Sequence, residues 1–475
     1  MTDSRRKQIS VVVALAAVFA FFNFFGHALE AAPASVVPLW LAVPFVLFLV
    51  AIAVTPFVDR HWWERNYPTV AAVLGGIVVA YYVFVLGNWP RVVLTAYDYV
   101  SFLSLIGSLF VVAGGIHFNL RGKAAPWENV LLLGGGALLS NVIGTTGASM
   151  LLLRPYLRSN KYRVRGYHVV FFIFLVSNIG GALTPIGDPP LFLGYLKGVP
   201  FFWVVGKAWY AWVLVLGILL LLFYFIDRHS FRRVPKKVQE QAIEPEVVKF
   251  SGLHNIWFLL IILAAVFVQR PLMLREVIMW CAALASYSTT KSEVHGKNDF
   301  SFSALREVAI LFAGIFLTMI PALDWLEMNA GSLGMSTPGQ FFWCSGALSS
   351  VLDNAPTYLS FLSAAMGLHG GSLDNTLHMQ ALLGLVQNSA AGLPNPLTPN
   401  AVSIAADSWK FIQAISLGAV FFGAMTYIGN GPNFMVKSIA EQSGVECPSF
   451  FGYVGKYSIP ILIPVFVLVW WLVFS

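Results

Sequence analysis

The string Gly181-Ala-Leu-Thr-Pro-Ile-Gly-Asp-Pro-Pro190 recurs, lightly altered, as Gly423-Ala-Met-Thr-Tyr-Ile-Gly-Asn-Gly-Pro432. Ahead of each copy stands a second matched pair, Gly136-Ala-Leu-Leu-Ser140 and Gly346-Ala-Leu-Ser-Ser350. All four strings fall inside apolar runs, where Gly and Pro interrupt a helix that would otherwise continue. The chain therefore contains one unit twice: an interrupted segment, then a helix that breaks at a Gly/Pro cluster.

The surroundings of the repeat are those of a membrane protein. Of 475 residues, 58% are hydrophobic and 11% charged, where a soluble domain is about 45–50% apolar and about 25% charged. That excludes a soluble enzyme with a single core. Runs long enough to cross a bilayer, about 20 residues each, lie at 9–26, 36–57, 69–88, 98–118, 168–196, 203–226, 253–269, 273–290, 303–323, 410–437 and 457–475. Two further runs, 128–153 and 339–366, are interrupted near their middles and read as re-entrant hairpins. The predicted fold is an all-α polytopic membrane protein of about eleven transmembrane helices and two hairpins. Three widely spaced cysteines, Cys281, Cys344 and Cys447, provide neither a disulfide framework nor a CxxC metal site.

The net charge of +7 is better read as positive-inside loops than as a nucleic-acid surface. With the N-terminus in the cytoplasm, the basic clusters at Arg5-Arg6-Lys7, 154–165 and 228–249 lie inside. Only Arg91, Lys197, Lys207, Arg270, Arg275 and Lys410 of the 29 Lys and Arg lie outside. Residues 321–409 contain no Lys or Arg and belong outside, as does the C-terminus. This count requires each hairpin to enter and leave on one face, the first from the cytoplasm and the second from the exterior, so the repeat is inverted. The N-terminal run can also be read as a secretory signal ending near Ala32-Pro-Ala34, which leaves the remaining topology unchanged. The expected organisation is an extra helix at 1–35, a first repeat at 36–226, a cytoplasmic linker at 227–252 and a second repeat at 253–475. Inverted repeats with interrupted helices at matching positions point to a secondary transporter whose site lies at mid-membrane between them.

Asp188 and Asp353 are read as the only carboxylates in the middle of the embedded segments. An acid exposed to lipid costs about 2.5–3.5 kcal/mol, so such a residue is functional by default. In a confined site burial disfavours the charged form and a bound cation favours it. Cation and proton then compete for the same oxygens, which is the physical basis of exchange. Ser140, Asn141, Thr145 and Thr146 stand on the first hairpin, Asn354 and Thr357 on the second. Ser177, Asn178, Thr184 and Gly187 surround the first break, and Thr426, Gly429, Asn430 and Asn433 the second. Such oxygen donors suit Na⁺ or Li⁺, and no His/Cys cluster suits a transition metal. The half-helix N-termini at the breaks also favour an anion. Plainer roles exist: Asp353 and Asp188 can be helix caps, and Ser140 and Thr357 can bond back to their own helices. Gly75-Gly76 and Gly114-Gly115 suit close helix packing. Glu276 and Glu307, beside Arg275 and Arg306, suit local pairing, and His117 and His168 suit the interface.

Asn178-Ile-Gly-Gly-Ala-Leu-Thr-Pro-Ile-Gly-Asp-Pro-Pro190 and Asp353-Asn-Ala-Pro-Thr357 resemble the ion transporter superfamily, in particular the branch of NhaD-type sodium/proton antiporters, arsenite permeases and citrate-type carriers. The resemblance runs from about residue 36 to 475. It implies an elevator-like movement of a transport domain, holding both hairpins and both broken helices, against a scaffold domain, commonly in a homodimer. It also implies sodium ligands at Ser140, Asn141, Thr184, Gly187, Asp353, Asn354, Thr426, Gly429 and Asn430. One departure stands out: the antiporter branch carries Asp-Asn on its first hairpin too, and this chain has Ser140-Asn141.

The expected function is exchange of Na⁺ (or Li⁺) for protons, with Asp188, Asp353, Asn141 and Asn354 at the sodium site. The alternative is coupled citrate or dicarboxylate carriage, or arsenite export. The expected setting is a bacterial inner membrane, with lipid, a small cation, a proton and in the alternative a carboxylate as partners. No nucleic acid, resident cofactor or enzymatic activity is expected. An intramembrane aspartate hydrolase would need Tyr-Asp and Gly-x-Gly-Asp on neighbouring helices, and Tyr97-Asp98 with Ile186-Gly-Asp188 lacks that form.

Overall fold

A computed structural model of the protein describes residues 16–26, 33–121, 124–235, 247–298, 300–386 and 406–475. Residues 16–26 are mostly helical, and the rest of the expected N-terminal span, 9–15, lies outside the described residues. The chain then runs through α1 (Val43–Val58), α2 (Arg60–Ala80, continued by a π segment to Val85) and α3 (Trp89–Gly114). Polar caps set their starts: Asp59 accepts from the Trp62 amide at 2.9 Å, and Asn88 from the Arg91 amide.

The segment α4 (Pro126–Ser159) is two helices, not one. At Gly144 the backbone swings to φ 79°, ψ 154°, a conformation that glycine adopts at little cost. Asn129 Nδ2 donates to Asn160 Oδ1 at 2.9 Å, although one straight helix would hold these residues about 46 Å apart. The chain thus turns back on itself. The second interrupted run does the same with α12 (Pro338–Ser349) and α13 (Asn354–Leu368), which place the rings of Phe341 and Phe361 6.0 Å apart.

Each hairpin is followed by a broken helix. The first is α5 (Gly166–Leu175), a turn at Ile179–Gly181 and α6 (Pro189–Leu196). Then come α7 (Trp203–Arg232), α8 (Asn255–Ala265), α9 (Leu274–Thr289), α10 (Ser292–Lys297) and α11 (Phe302–Asn329). After the second hairpin follow α14 (Thr376–Leu382), the second broken helix, made of α15 (Trp409–Phe422), a turn at Gly423–Met425 and α16 (Gly431–Gln442), and α17 (Phe450–Val473). The two breaks share a backbone: Asp188 sits at φ −138°, ψ 141° and Asn430 at φ −153°, ψ 141°, each just ahead of its second half-helix.

Burial places the repeat at the centre. Every side chain from Val169 to Val176 is fully buried, as expected for a helix that is apolar all round. By contrast α1 exposes Val43, Val46, Leu47, Val50 and Val54, and α7 exposes Val213, Leu221 and Phe225, the faces turned to lipid. Among the described residues seven helices are long and apolar enough to cross a membrane, the folded-back α4 among them. The protein is an all-α polytopic integral membrane protein.

Four local expectations change. The run 253–269 yields only an eleven-residue helix, α8, about 16 Å long against a hydrocarbon layer of about 30 Å. The linker expected at 227–252 is partly structured: α7 continues to Arg232, Asp227 is fully buried, and Val247–Ser251 pairs antiparallel with His117–Arg121, so a two-stranded ribbon (β1, β2) joins the helices. Residues 236–246 of that linker lie outside the described residues. The connection after the second hairpin folds Asp374 inward to 13% side-chain exposure and forms α14, with 387–405 again outside. Of the paired glycines, Gly75 packs against Leu317 and Gly76 meets nothing.

Candidate functional site

The site is centred on Asp188, which is fully buried. Its own helix does not use the carboxylate as a cap. Instead three side chains from three other segments donate to it: Thr145 Oγ1 to Oδ1 at 3.0 Å, Asn430 Nδ2 to Oδ1 at 3.1 Å, and Asn354 Nδ2 to Oδ2 at 2.5 Å. Thr145 follows the turn of the first hairpin, Asn354 opens the outgoing helix of the second, and Asn430 is the counterpart of Asp188 in the second break. Both hairpins and both breaks meet on one carboxylate.

Glycine makes the break narrow enough for this. A Cβ on Gly187 would lie 2.2 Å from the Gly181 carbonyl oxygen, and one on Gly429 2.7 Å from that of Gly423, so in each copy two backbone turns touch directly. The Gly187 carbonyl accepts from the Thr145 amide at 2.9 Å, which fixes the hairpin tip against the break.

A shell of amides supports the centre. Asn178 Nδ2 donates to Asn433 Oδ1 at 2.7 Å, and Asn178 Oδ1 lies 3.2 Å from Asn430 Nδ2. Asn433 Nδ2 donates to the carbonyls of Gly423 and Thr426. The chain Asn433, Asn178, Asn430, Asp188 thus crosses from one repeat to the other. Ser177 Oγ lies 2.8 Å from Ser149 Oγ.

Other candidates act as braces. Ser140 Oγ lies within 2.9 Å of the Gly136 and Val176 carbonyls. Asn141 accepts from the Leu183 amide and donates to the Gly180 carbonyl at 2.6 Å, and Thr184 donates to the Asn141 carbonyl at 2.6 Å. Thr426 donates to the Ser350 carbonyl at 2.6 Å. Thr146 lines a cleft between the first hairpin tip and α3, with Leu105, Leu109 and Phe110 opposite. These contacts hold hairpin to broken helix; none is made to Asp188.

Asp353 occupies a different position from the one its charge suggested. Its carboxylate accepts from the Ala355 amide at 3.0 Å and caps α13, and Thr357 bonds back to the Asp353 carbonyl. The neighbouring Asn354 reaches Asp188. Its Oδ1 is buried and has no hydrogen-bond partner among the described residues, an unusual state for a buried acceptor. Groups of three His, Cys, Asp or Glu placed to hold a metal ion are absent among the described residues, so a cation here would rest on one carboxylate with amide, hydroxyl and carbonyl oxygens.

Comparison with known proteins gives the family of the chain. A family described as "Putative citrate transport" matches residues 34–474, a stretch that includes both hairpins and both breaks. The chain belongs to this family. It is similar to an uncharacterized transporter of Mycobacterium tuberculosis, 24% identical over 355 residues, covering 71% of this chain and 74% of the relative. An uncharacterized transporter of Synechocystis is 22% identical over 448 residues, 87% of this chain and 94% of the relative. A 46 kDa membrane protein of Mycobacterium leprae is 23% identical over 360 residues, 71% and 74% of the two chains. The resemblance carried by the repeated motifs and the family match thus agree on a membrane transporter of the citrate-carrier branch.

Within this family member the sequence reading missed most of the buried charge. Asp98, Asp227, Glu276, Asp324 and Glu327 are buried, and so are Arg91, Arg163 and Arg275, so Asp188 and Asp353 are not the only interior acids. Arg275 pairs with Glu276 at 2.6 Å, as local pairing predicts. His168 is an interior residue, with Nε2 3.1 Å from Asp227 Oδ1. A usable signal did exist for Asp324 and Glu327: they stand one turn apart in the direct continuation of the 303–323 run, and the helix extends to Asn329.

Proposed function

We propose that the protein is a secondary active transporter that exchanges Na⁺ (or Li⁺) for protons on the carboxylate of Asp188. The observation that carries this reading is the convergence of Thr145, Asn354 and Asn430 on that one buried acid. Carboxamides are two-faced. Their N–H groups satisfy the bare carboxylate, and rotation turns their oxygens to a cation held by it, or to the proton of the neutral acid. Asn354 Oδ1, unpartnered among the described residues, is the first available oxygen. One set of side chains can therefore serve the empty, cation-bound and protonated states without leaving the carboxylate short of hydrogen-bond partners in a dry site. Asp353 and the braces around Asn141 and Thr426 shape the site in this account.

A second reading has its own support. Asp188, Asp353 and Asn430 each precede a helix N-terminus, and three such ends facing a common centre favour an anion beside the cation. Together with the family's description, this supports coupled carriage of citrate or a related carboxylate. Orientation with the N-terminus in the cytoplasm of a bacterial cell, and assembly as a homodimer, belong to the same proposal.

Reconstitution of the full chain into liposomes separates the readings. Antiport predicts proton release from the lumen on adding external Na⁺ with no carboxylate present, abolished by Asp188→Asn. Carboxylate carriage predicts that citrate accumulates only under a Na⁺ or proton gradient. Proton movement that survives Asp188→Asn would refute the mechanism.

A further inference from the structure

A second buried polar cluster lies at the far ends of the two helices that begin at the site. Arg91 on α3 pairs with Asp324 on α11 at 2.5 Å and with Asp374 in the loop beyond α13. Lys197, the residue after α6, pairs at 2.5 Å with Asp98 on α3 and at 2.5 Å with Asp374. No side chain of the five exceeds 13% exposure. Tyr82 donates to Asp324 at 2.8 Å, and Glu327 accepts from the Leu373 amide.

Two kinds of pair are present. Arg91–Asp324 lies within α3 and α11, and Lys197–Asp374 joins the ends of α6 and of the second hairpin. The cross pairs, Arg91–Asp374 and Lys197–Asp98, tie one body to the other. Helix α6 spans the eight residues between Asp188 and Lys197, about 12 Å, and α13 starts at Asn354, so both helices that hold the central contact are anchored at their other ends by the cross pairs. Nearby, Tyr195 donates to the Val266 carbonyl and Ser363 to that of Leu323, which completes the seal. Towards the hairpin tip the same seam is apolar, lined by Leu105, Leu109 and Phe110 against Ile143, Pro189 and Phe192.

We propose that the cross pairs are a reversible ion-pair latch that closes the route to Asp188 from the Asp374 face. On opening, Arg91 stays with Asp324 and Lys197 with Asp374, so only Asp98 loses its partner. A pair broken inside a protein is costly because it strands a charge; keeping Arg91 and Lys197 each with one carboxylate confines that cost to Asp98 and lets one arrangement be both tight and reversible. This inference rests on the transport reading above, since a route to Asp188 matters only if a solute uses it.

Accessibility tests the latch without requiring transport. Leu105, 2% exposed, stands two turns along α3 from Asp98 towards the hairpin tip. In full-length protein with Cys281, Cys344 and Cys447 replaced by Ser and with Leu105→Cys, a membrane-impermeant maleimide is applied from the Asp374 face. We expect slow labelling, and labelling about tenfold faster when Asp374→Asn weakens the latch and shifts the population towards the open state. Equal rates overturn the proposal. Asp98→Asn, which removes one cross pair and leaves Lys197 with Asp374, should also speed labelling. If Asp374→Asn fails to fold, Asp98→Asn decides alone: faster labelling supports the latch and an unchanged rate refutes it. A protein that labels as expected and moves neither Na⁺, protons nor citrate refutes the transport reading, whereas transport with unchanged labelling refutes the latch.

Discussion

Asn354 Nδ2 donates to Asp188 Oδ2 at 2.5 Å across 166 residues of chain, joining the outgoing helix of the second hairpin to the break of the first broken helix. With the Asn430–Asp188 bond, this contact couples the halves of the repeat at an acid that its own helix does not use as a cap. Its neighbour Asp353, one residue earlier, is occupied with capping α13.

That difference separates two substitutions that look alike in the sequence. Asp188→Asn removes the charge on which Thr145, Asn354 and Asn430 converge and should abolish Na⁺-dependent proton movement and any rise in melting temperature on adding Na⁺, with the fold kept. Asp353→Asn retains a good cap and should keep measurable transport, whereas Asp353→Ala should lose about 1 kcal/mol of stability. Thermal unfolding and proteoliposome flux on the three variants check this; abolition of transport by Asp353→Asn would return that residue to the ion-binding set.

Gly187 and Gly76 offer a second contrast. A Cβ on Gly187 would stand 2.2 Å from the Gly181 carbonyl, with only backbone to yield, whereas one on Gly76 meets nothing within 4 Å. Gly187→Ala should therefore cost about 1–3 kcal/mol through overpacking and disrupt the seat of Thr145. Gly76→Ala, in the middle of α2, should be neutral or stabilise by about 0.5–1 kcal/mol. Melting curves in detergent that ranked the two the other way round would contradict the packing of the break.

The repeat was legible because both breaks are written in Gly and Pro, residues whose backbone consequences are local. The Asp188 site was legible for the same reason: a charge inside such a cluster has few other uses. Which of Asp353 and Asn354 reaches the centre was not, because Asp and Asn serve equally as caps and as ligands, and only the backbone direction at the helix start decides. The latch was illegible for a different reason. Arg91 and Asp374 are 283 residues apart, and each sits where an apolar run begins or ends, so each passed for a loop charge. Cutting the 303–323 run just before Asp324 hid the third member.

Asp374 also predicts how the closed state responds to acid. Burial opposes its charge, but Arg91 and Lys197 together outweigh that and hold its carboxyl well below the usual carboxylate range; Asp98, Asp324 and Glu327 face the same cluster. A depressed folded pKa contributes stability that is fully present above the unfolded value, about 3.9, and is lost as pH falls below it. The stability difference between the parent and Asp374→Asn should therefore be flat from pH 8 to about 5 and should shrink only below about pH 4. A difference that disappears between pH 7 and 6 would show that another group governs the latch.

At the opposite end of the molecule Asp227 gathers the base of the first hairpin. It accepts from Asn129 Nδ2 at 3.0 Å, from Tyr167 at 2.7 Å and from both terminal nitrogens of Arg163, whose Nη2 lies at 2.9 Å. Asn129 in turn holds Asn160, closing the hairpin where its two helices enter and leave. Asp227→Asn keeps the shape but leaves the Arg163 guanidinium buried without its counter-charge, and removing one partner of such a pair costs about 3–5 kcal/mol. The double variant Asp227→Asn with Arg163→Gln removes both charges and should recover much of that loss, since two neutral amides can bond to each other and to Asn129. Recovery in melting temperature, together with unchanged Na⁺ binding at Asp188, would establish this cluster as the hairpin's anchor; a double variant no more stable than Asp227→Asn alone would mean that Tyr167 and Asn129, rather than the ion pair, hold the base together.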